Sequence, residues 1–226
     1  MRIYSPPLRR FAFLLFAGAL LALTACEKQS AAVQTKRAFV IPEARNVGRL
    51  DLAHVTRGAF QLGDIEGDWS LFFFGYTHCP DVCPTELFML AEMMRAIEKD
   101  PGRLQQAPQV VFVSVDPKRD APRHLQDYAG YYHPSFLGVT GEQASIDRLT
   151  KTLGVFHERV YYRDGKIVPI DQSAAIPADL ENQYLVNHSS AIFVFDPNSR
   201  LHAIFTPPHD ADDIIHDLAA LQDDWN

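Results

Sequence analysis

Three cysteines, Cys26, Cys79 and Cys83, are all that the 226 residues contain, which leaves room for one disulfide at most. Long apolar runs are also missing. The longest, Phe11–Ala25, stops short of the ~20 residues that cross a bilayer comfortably. Basic residues are in deficit, 21 against 28 acidic, for a formal charge of −7. Arg2, Arg9 and Arg10 all fall in the first 26 positions, so the remainder is more acidic still. Such a surface repels phosphate backbones and excludes nucleic acid as a partner. No internal repeat or low-complexity tract is present. What remains is globular in composition, 47% hydrophobic and 22% charged, with enough length for one ordinary domain plus appendages.

The amino terminus reads as an address. Arg9 and Arg10 precede the apolar run, which ends in Leu23-Thr24-Ala25-Cys26. A positive region, a short apolar core and a small-residue exit describe a secretory signal. The last four residues resemble a bacterial lipobox, so residues 1–26 are expected as a lipoprotein-type signal with Cys26 as the lipidated residue; an uncleaved anchor is the alternative. Either places the domain on the periplasmic or extracytoplasmic side of a membrane. Residues 27–45, EKQSAAVQTKRAFVIPEAR, show no sustained period and are expected to be a flexible tether, with the folded domain at 46–226.

Patterned segments begin with a hairpin around Leu50–Leu62. Ser70–Tyr76 is a continuous apolar run of the kind buried on both faces of a sheet, and Gln109–Val115 is a second. Helices fit Thr85–Lys99, Pro122–Tyr132, Ala144–Leu153 and Asp210–Leu221. Val160–Val168 carries Asp164-Gly165 at its middle, a hairpin signal. Ala191–Phe195 and Leu201–Thr206 follow as strands. The order predicts an α/β fold with a mixed central sheet flanked by helices. A cysteine pair where the first core strand meets its helix narrows this to a thioredoxin-like arrangement. Segment 157–187 is too long for a simple connection and is expected as an inserted hairpin and loop.

Cys79 and Cys83 sit at that strand–helix junction. Helix-terminal N–H groups and the helix dipole favour thiolates there. A spacing of four places both sulfurs on one helical face, close enough to form a disulfide or to grip one metal ion. Two thiolates suit Cu(I); they also suit zinc, but a closed structural zinc site draws four ligands from Cys and His. Closing so short a loop by a structural disulfide restricts the unfolded chain only modestly. Three residues intervene where thioredoxin-type oxidoreductases have two, and the position three after Thr77 is Pro80 rather than a peroxiredoxin-like cysteine.

The stretch Phe74-Gly75-Tyr76-Thr77-His78-Cys79-Pro80-Asp81-Val82-Cys83-Pro84-Thr85 closely resembles the signature of the Sco/SenC family. Val113-Ser114-Val115-Asp116-Pro117-Lys118-Arg119-Asp120 and Val186-Asn187-His188-Ser189-Ser190 extend the resemblance, which runs from about Val47 to the carboxyl terminus. It implies a copper chaperone whose metal ligands are Cys79, Cys83 and His188, handling Cu(I), Cu(II) or both. The implied client is the dinuclear copper site of cytochrome c oxidase subunit II, with other copper chaperones or thiol reductants as further partners. Asp116 is implied in partner recognition or thiol tuning. Where the family often has Asp before the ligand histidine, this chain has Asn187. A thiol–disulfide reductase acting on the oxidase cysteines, and a redox or copper sensor, would use the same residues.

His188 is expected just ahead of strand Ala191–Phe195, facing the cysteines across the sheet. His78 is read as part of the motif's packing, and Met89 and Met93 as helix packing rather than thioether ligands. His54, His124, His133, His157, His202, His209 and His216 have no spacing that ties them to the cysteines and are expected at the surface.

Overall fold

The computed structural model of the chain describes residues 33–171, 175–176, 178–181 and 183–225. The expected signal with Cys26, and the first part of the tether, lie outside the described residues.

In chain order the elements are β1 (Ala38–Arg45), β2 (Leu52–His54), β3 (Gly58–Phe60), β4 (Ser70–Gly75), α1 (Val82–Lys99), β5 (Gln109–Ser114), α2 (Pro122–Tyr132), β6 (Leu137–Thr140), α3 (Gln143–Leu153), β7 (His157–Arg163), β8 (Lys166–Pro169), β9 (Leu185–His188), β10 (Ile192–Phe195), β11 (Leu201–Phe205) and α4 (Ala211–Trp225). Eight strands form one sheet in the order β1-β11-β10-β4-β5-β6-β2-β3. β4, β5 and β6 run parallel, and the remaining neighbours pair antiparallel. This is the mixed α/β architecture read from the sequence, with β2 and β3 as the amino-terminal hairpin.

β4 is the hinge of the architecture. All six of its residues are buried, which is why Leu71-Phe72-Phe73-Phe74 reads as an unbroken apolar run. Each of the three phenylalanine rings removed from water contributes about 2–3 kcal/mol. β4 lies between β10 and β5, so its carboxyl end emerges at the middle of the sheet and delivers the cysteine loop there. α1 follows, burying Leu87, Leu90, Ala91, Met94 and Ile97 as the helical stripe requires, and it packs against α4 and α2.

Four features differ from the expectation. The tether ends earlier: Ala38–Arg45 is strand β1, paired with β11 at the sheet edge. Pro42 falls where the register shifts between Val40 and Arg45, a position that an edge strand tolerates because no ladder N–H is needed there. The Asp217 carboxylate fixes the approach to this strand, accepting backbone N–H bonds from Lys36, Arg37 and Ala38 at 2.7–2.8 Å. Second, α1 begins at Val82 rather than Thr85. Third, β6 is a strand that the sequence pattern does not predict. It is four residues long and contains Gly138, where a Cβ would stand 2.6 Å from the Leu125 carbonyl oxygen, so the glycine is needed for α2 to approach the strand. Fourth, His188 does not simply lead into β10. It ends a separate strand, β9, in a three-stranded sheet of order β8-β7-β9. The β7–β8 hairpin is the expected insertion, turning at Asp164-Gly165 with φ of +52° and +72°.

No helix among the described residues is long and apolar enough to cross a membrane.

Candidate metal centre

Gly75 ends β4, and the chain turns through Tyr76–Asp81 into α1. A Cβ at Gly75 would lie 2.6 Å from Cys83 Sγ and 2.7 Å from the Phe112 ring. The glycine therefore makes the space in which the second sulfur sits. Cys83 is fully buried in the first turn of α1, while Cys79 on the loop is half-buried. α1 has no side-chain cap from Asp81. Instead the backbone N–H of Cys83 points at Cys79 Sγ, 3.4 Å away, so the sulfur takes the place of a capping oxygen.

His188 reaches the pair from β9. Its Nε2 lies 3.1 Å from Cys83 Sγ and 3.9 Å from Cys79 Sγ. Its Nδ1–H donates to the Ser189 carbonyl at 3.1 Å, which leaves the Nε2 lone pair directed at the sulfurs. The rings of Phe73 and Tyr76 stand edge-on to the imidazole, at centroid distances of 6.3 and 6.0 Å. All three donor atoms lie within 4.8 Å of one another. A metal about 2.3 Å from sulfur and about 2.0 Å from nitrogen, with angles of about 100–120°, separates sulfur from nitrogen by about 3.3–3.7 Å. The two nitrogen–sulfur separations, 3.1 and 3.9 Å, bracket that range, so the imidazole joins each sulfur on one ion with shifts of a few tenths of an ångström.

The two thiols are electrostatically unlike. A hydrogen bond from the Cys83 thiol lowers the Cys79 pKa, with backbone N–H groups adding to the effect against partial burial, and brings it to about 4. Burial pushes the Cys83 thiol up, and the neighbouring Cys79 charge and the Asp120 carboxylate push it further. Across the neutral range the pair therefore holds one proton, on the buried sulfur. Both cysteines are unbridged.

The structure thus brings together Cys79, Cys83 and His188 and leaves the other candidates elsewhere. Asp116 makes no contact with either sulfur. It is 3% exposed, accepting hydrogen bonds from the Tyr184 hydroxyl at 2.7 Å and from Arg119 Nε. Asp116 is enclosed, and the carboxylate whose charge bears on the Cys83 thiol is Asp120. Asp120 is fully buried and accepts from the Thr77 backbone at 2.9 Å, the Thr77 hydroxyl, and the Ser114 hydroxyl at 2.6 Å. It pins the loop that carries Cys79. The sequence held a signal for it, since Asp120 closes the second family-like stretch.

His78 stands half-exposed with Nδ1 at 3.0 Å from the Thr77 hydroxyl and takes no part in the cluster. Met93 is buried and Met89 packs on the core, as read. Five histidines expected at the surface are enclosed, among them His157 and His202 with side chains 10% and 15% exposed. His54 bonds Gln126 at 2.7 Å, His133 bonds Ser135 at 2.8 Å, and His209 bonds Glu86 at 2.8 Å. A cleft of about 230 Å³ opens beside the centre between Pro80–Val82 and Leu185–His188. A larger one, about 530 Å³ between Leu52, Pro117 and Gly141, contains neither cysteine nor histidine, so volume does not mark the site.

Comparisons with known proteins identify the family and match the fold. The profile of the family described as SCO1/SenC matches residues 42–223. Protein SCO2 homolog, mitochondrial, of Bos taurus is 32% identical over 197 residues, covering 87% of this chain and 67% of that one. Among solved structures, apo Sco1 of Thermus thermophilus is 34% identical with a TM-score of 0.65, over 84% of this chain and 99% of that one. Arabidopsis thaliana ScoI with copper bound is 26% identical with a TM-score of 0.64, over 79% and 98%. A match across four-fifths of the chain, carried by the same fold, places this protein in the SCO1/SenC family.

Proposed function

We propose that this chain binds copper through Cys79, Cys83 and His188 and delivers it, outside the cytoplasm, to the dinuclear copper site of cytochrome c oxidase subunit II. The observation that carries the reading is the convergence of two sulfurs and one imidazole nitrogen, with the nitrogen lone pair already directed inward. Two thiolates satisfy Cu(I), and the imidazole supplies the harder donor that Cu(II) requires. The copper-bound Arabidopsis relative supports the choice of metal. Cys79 lines the cleft while Cys83 is buried, so an incoming ligand meets Cys79 first and release proceeds from the more exposed sulfur inward. Tethering through a lipid-modified Cys26 keeps the domain near a membrane-bound client.

His188→Ala tests the ligand set. The variant is expected to fold and to form the Cys79–Cys83 disulfide, to lose the thiolate-to-Cu(II) absorption, to bind Cu(I) more weakly and to fail in oxidase assembly. Binding of both copper states at wild-type strength would remove His188 from the site.

The unlike thiols support a second reading, reduction of the client's own cysteines. The Cys79 thiolate attacks one sulfur of a client disulfide, releasing the other as a client thiolate. Cys83, on losing its proton to solvent, then attacks Cys79 in the mixed disulfide, so that the client leaves as a dithiol and the Cys79–Cys83 disulfide forms. His188→Ala separates the two readings, because reduction requires no imidazole.

A further inference from the structure

The stretch Asp116-Pro117-Lys118-Arg119-Asp120, between β5 and α2, binds both halves of the metal centre, though none of its residues is within the donor cluster. At one end Asp120 holds Thr77, two residues before Cys79. At the other, Arg119 holds the segment leading into β9. The guanidinium is enclosed, with its side chain 9% exposed, and lies 3.6 Å from the centroid of the Tyr184 ring and 5.4 Å from that of Tyr76. Its Nη1–H donates to the Tyr184 carbonyl at 3.0 Å, and its Nε–H donates to Asp116, which also accepts the Tyr184 hydroxyl. Tyr184 is thus held by its ring, its carbonyl and its hydroxyl at once.

Four residues later the same backbone presents His188. Between the two, the Val186 N–H donates to the Tyr76 hydroxyl at 3.1 Å. Arg119 therefore touches both aromatic residues that fasten the histidine segment to the body. β9 has no ladder partner in the eight-stranded sheet; its strand partner is β7. Lys118 and Glu181 bridge the same two segments at 2.7 Å, but both are half-exposed, and such a pair contributes little.

We propose that Arg119 is the positioning residue for His188, fixing through Tyr184 and Tyr76 the distance between the imidazole and the two sulfurs. This rests on His188 being a metal ligand and deepens that reading. A guanidinium suits the task because its planar fork bonds a carboxylate and a carbonyl while its face stacks on a ring, which no lysine can do together. With the clamp closed the centre offers three donors; with it open, two thiolates remain. The first arrangement favours Cu(II) and the second still serves Cu(I).

The test compares Arg119→Met with His188→Ala in the purified protein. Arg119→Met paired with Asp116→Asn serves as a second variant that leaves no lone buried carboxylate. Both Arg119 variants are expected to keep the wild-type circular dichroism and to bind Cu(II) about 10- to 100-fold more weakly, the range typical of residues that orient metal ligands. Their Cu(I) affinity should fall by less. Added imidazole should restore the thiolate-to-Cu(II) absorption, which lost folding alone would not allow. In the metal-free variants Cys83 should react faster with an alkylating reagent, since the histidine no longer covers it. Cu(II) binding at wild-type strength in the Arg119 variants, alongside its loss in His188→Ala, would overturn this inference and leave the ligand reading intact. Cu(II) loss that imidazole does not repair would also overturn it. Wild-type Cu(II) binding by His188→Ala would defeat the ligand reading, and this inference with it.

Discussion

Cys79 and Cys83 are the same residue type four positions apart, yet their surroundings give them opposite chemistry. Cys79 accepts hydrogen bonds and faces the cleft, whereas Cys83 is sealed beneath the helix start. The folded pKa of Cys79 is depressed to about 4, so its thiolate and the contacts that stabilise it persist well below the ordinary cysteine value and disappear as pH falls through about 4. Cys83 is raised, so it keeps its proton throughout the neutral range. Alkylation of the metal-free protein is therefore expected to label Cys79 at near-constant rate from pH 7 to about pH 5, slowing below that, with Cys83 unlabelled. Peptide mapping after short exposure checks this. Preferential labelling of Cys83, or a rate that collapses between pH 9 and pH 7, would contradict the assignment.

Among the elements, β1 shows how a buried carboxylate defines where the domain begins. Burial alone would raise the pKa of Asp217, but three backbone N–H bonds and His216 outweigh it, and the net shift is downward. Its contribution to stability is thus present above the ordinary carboxylate range and fades as pH falls through the lowered value. Asp217→Ala is expected to cost about 3 kcal/mol, since it leaves three N–H groups without an acceptor, and denaturant titration measures it. A chain starting at Val33 should fold, whereas one starting at Asn46 should expose the edge of β11 and aggregate. What the sequence made legible follows the same physics. β4 could be read because a strand buried on both faces is apolar without interruption, and α1 because its stripe has helical period. β1 and β6 were illegible because Pro42 and Gly138 argue locally against strands that tertiary packing nevertheless demands. The cysteines announced themselves by spacing, but His188 lies 105 residues beyond Cys83 and became visible only through family resemblance. The loop of Asp116–Asp120 was visible as a motif while its purpose was not, because its partners Thr77 and Tyr184 stand 43 residues before Asp120 and 65 after Arg119.

At the scale of the whole molecule, the fold places the inserted sheet, which carries His188, against the loop and helix start that carry Cys79 and Cys83, and a bound metal would complete the join. Loading should stabilise the domain by mass action, since the unfolded chain scatters its donors. Because Cys79 is already a thiolate and Cys83 is not, uptake of Cu(I) at pH 7 should release about one proton per ion rather than two. Calorimetry in two buffers of different ionisation enthalpy counts it. The central claim, that one copper ion is held by Cys79, Cys83 and His188, is tested most directly by X-ray absorption at the copper edge on the Cu(II)-loaded protein. The account predicts two sulfur scatterers at about 2.3 Å together with an imidazole nitrogen at about 2.0 Å, and loss of that imidazole signal in His188→Ala. A spectrum with one sulfur or none, or an imidazole signal that survives the substitution, would contradict it.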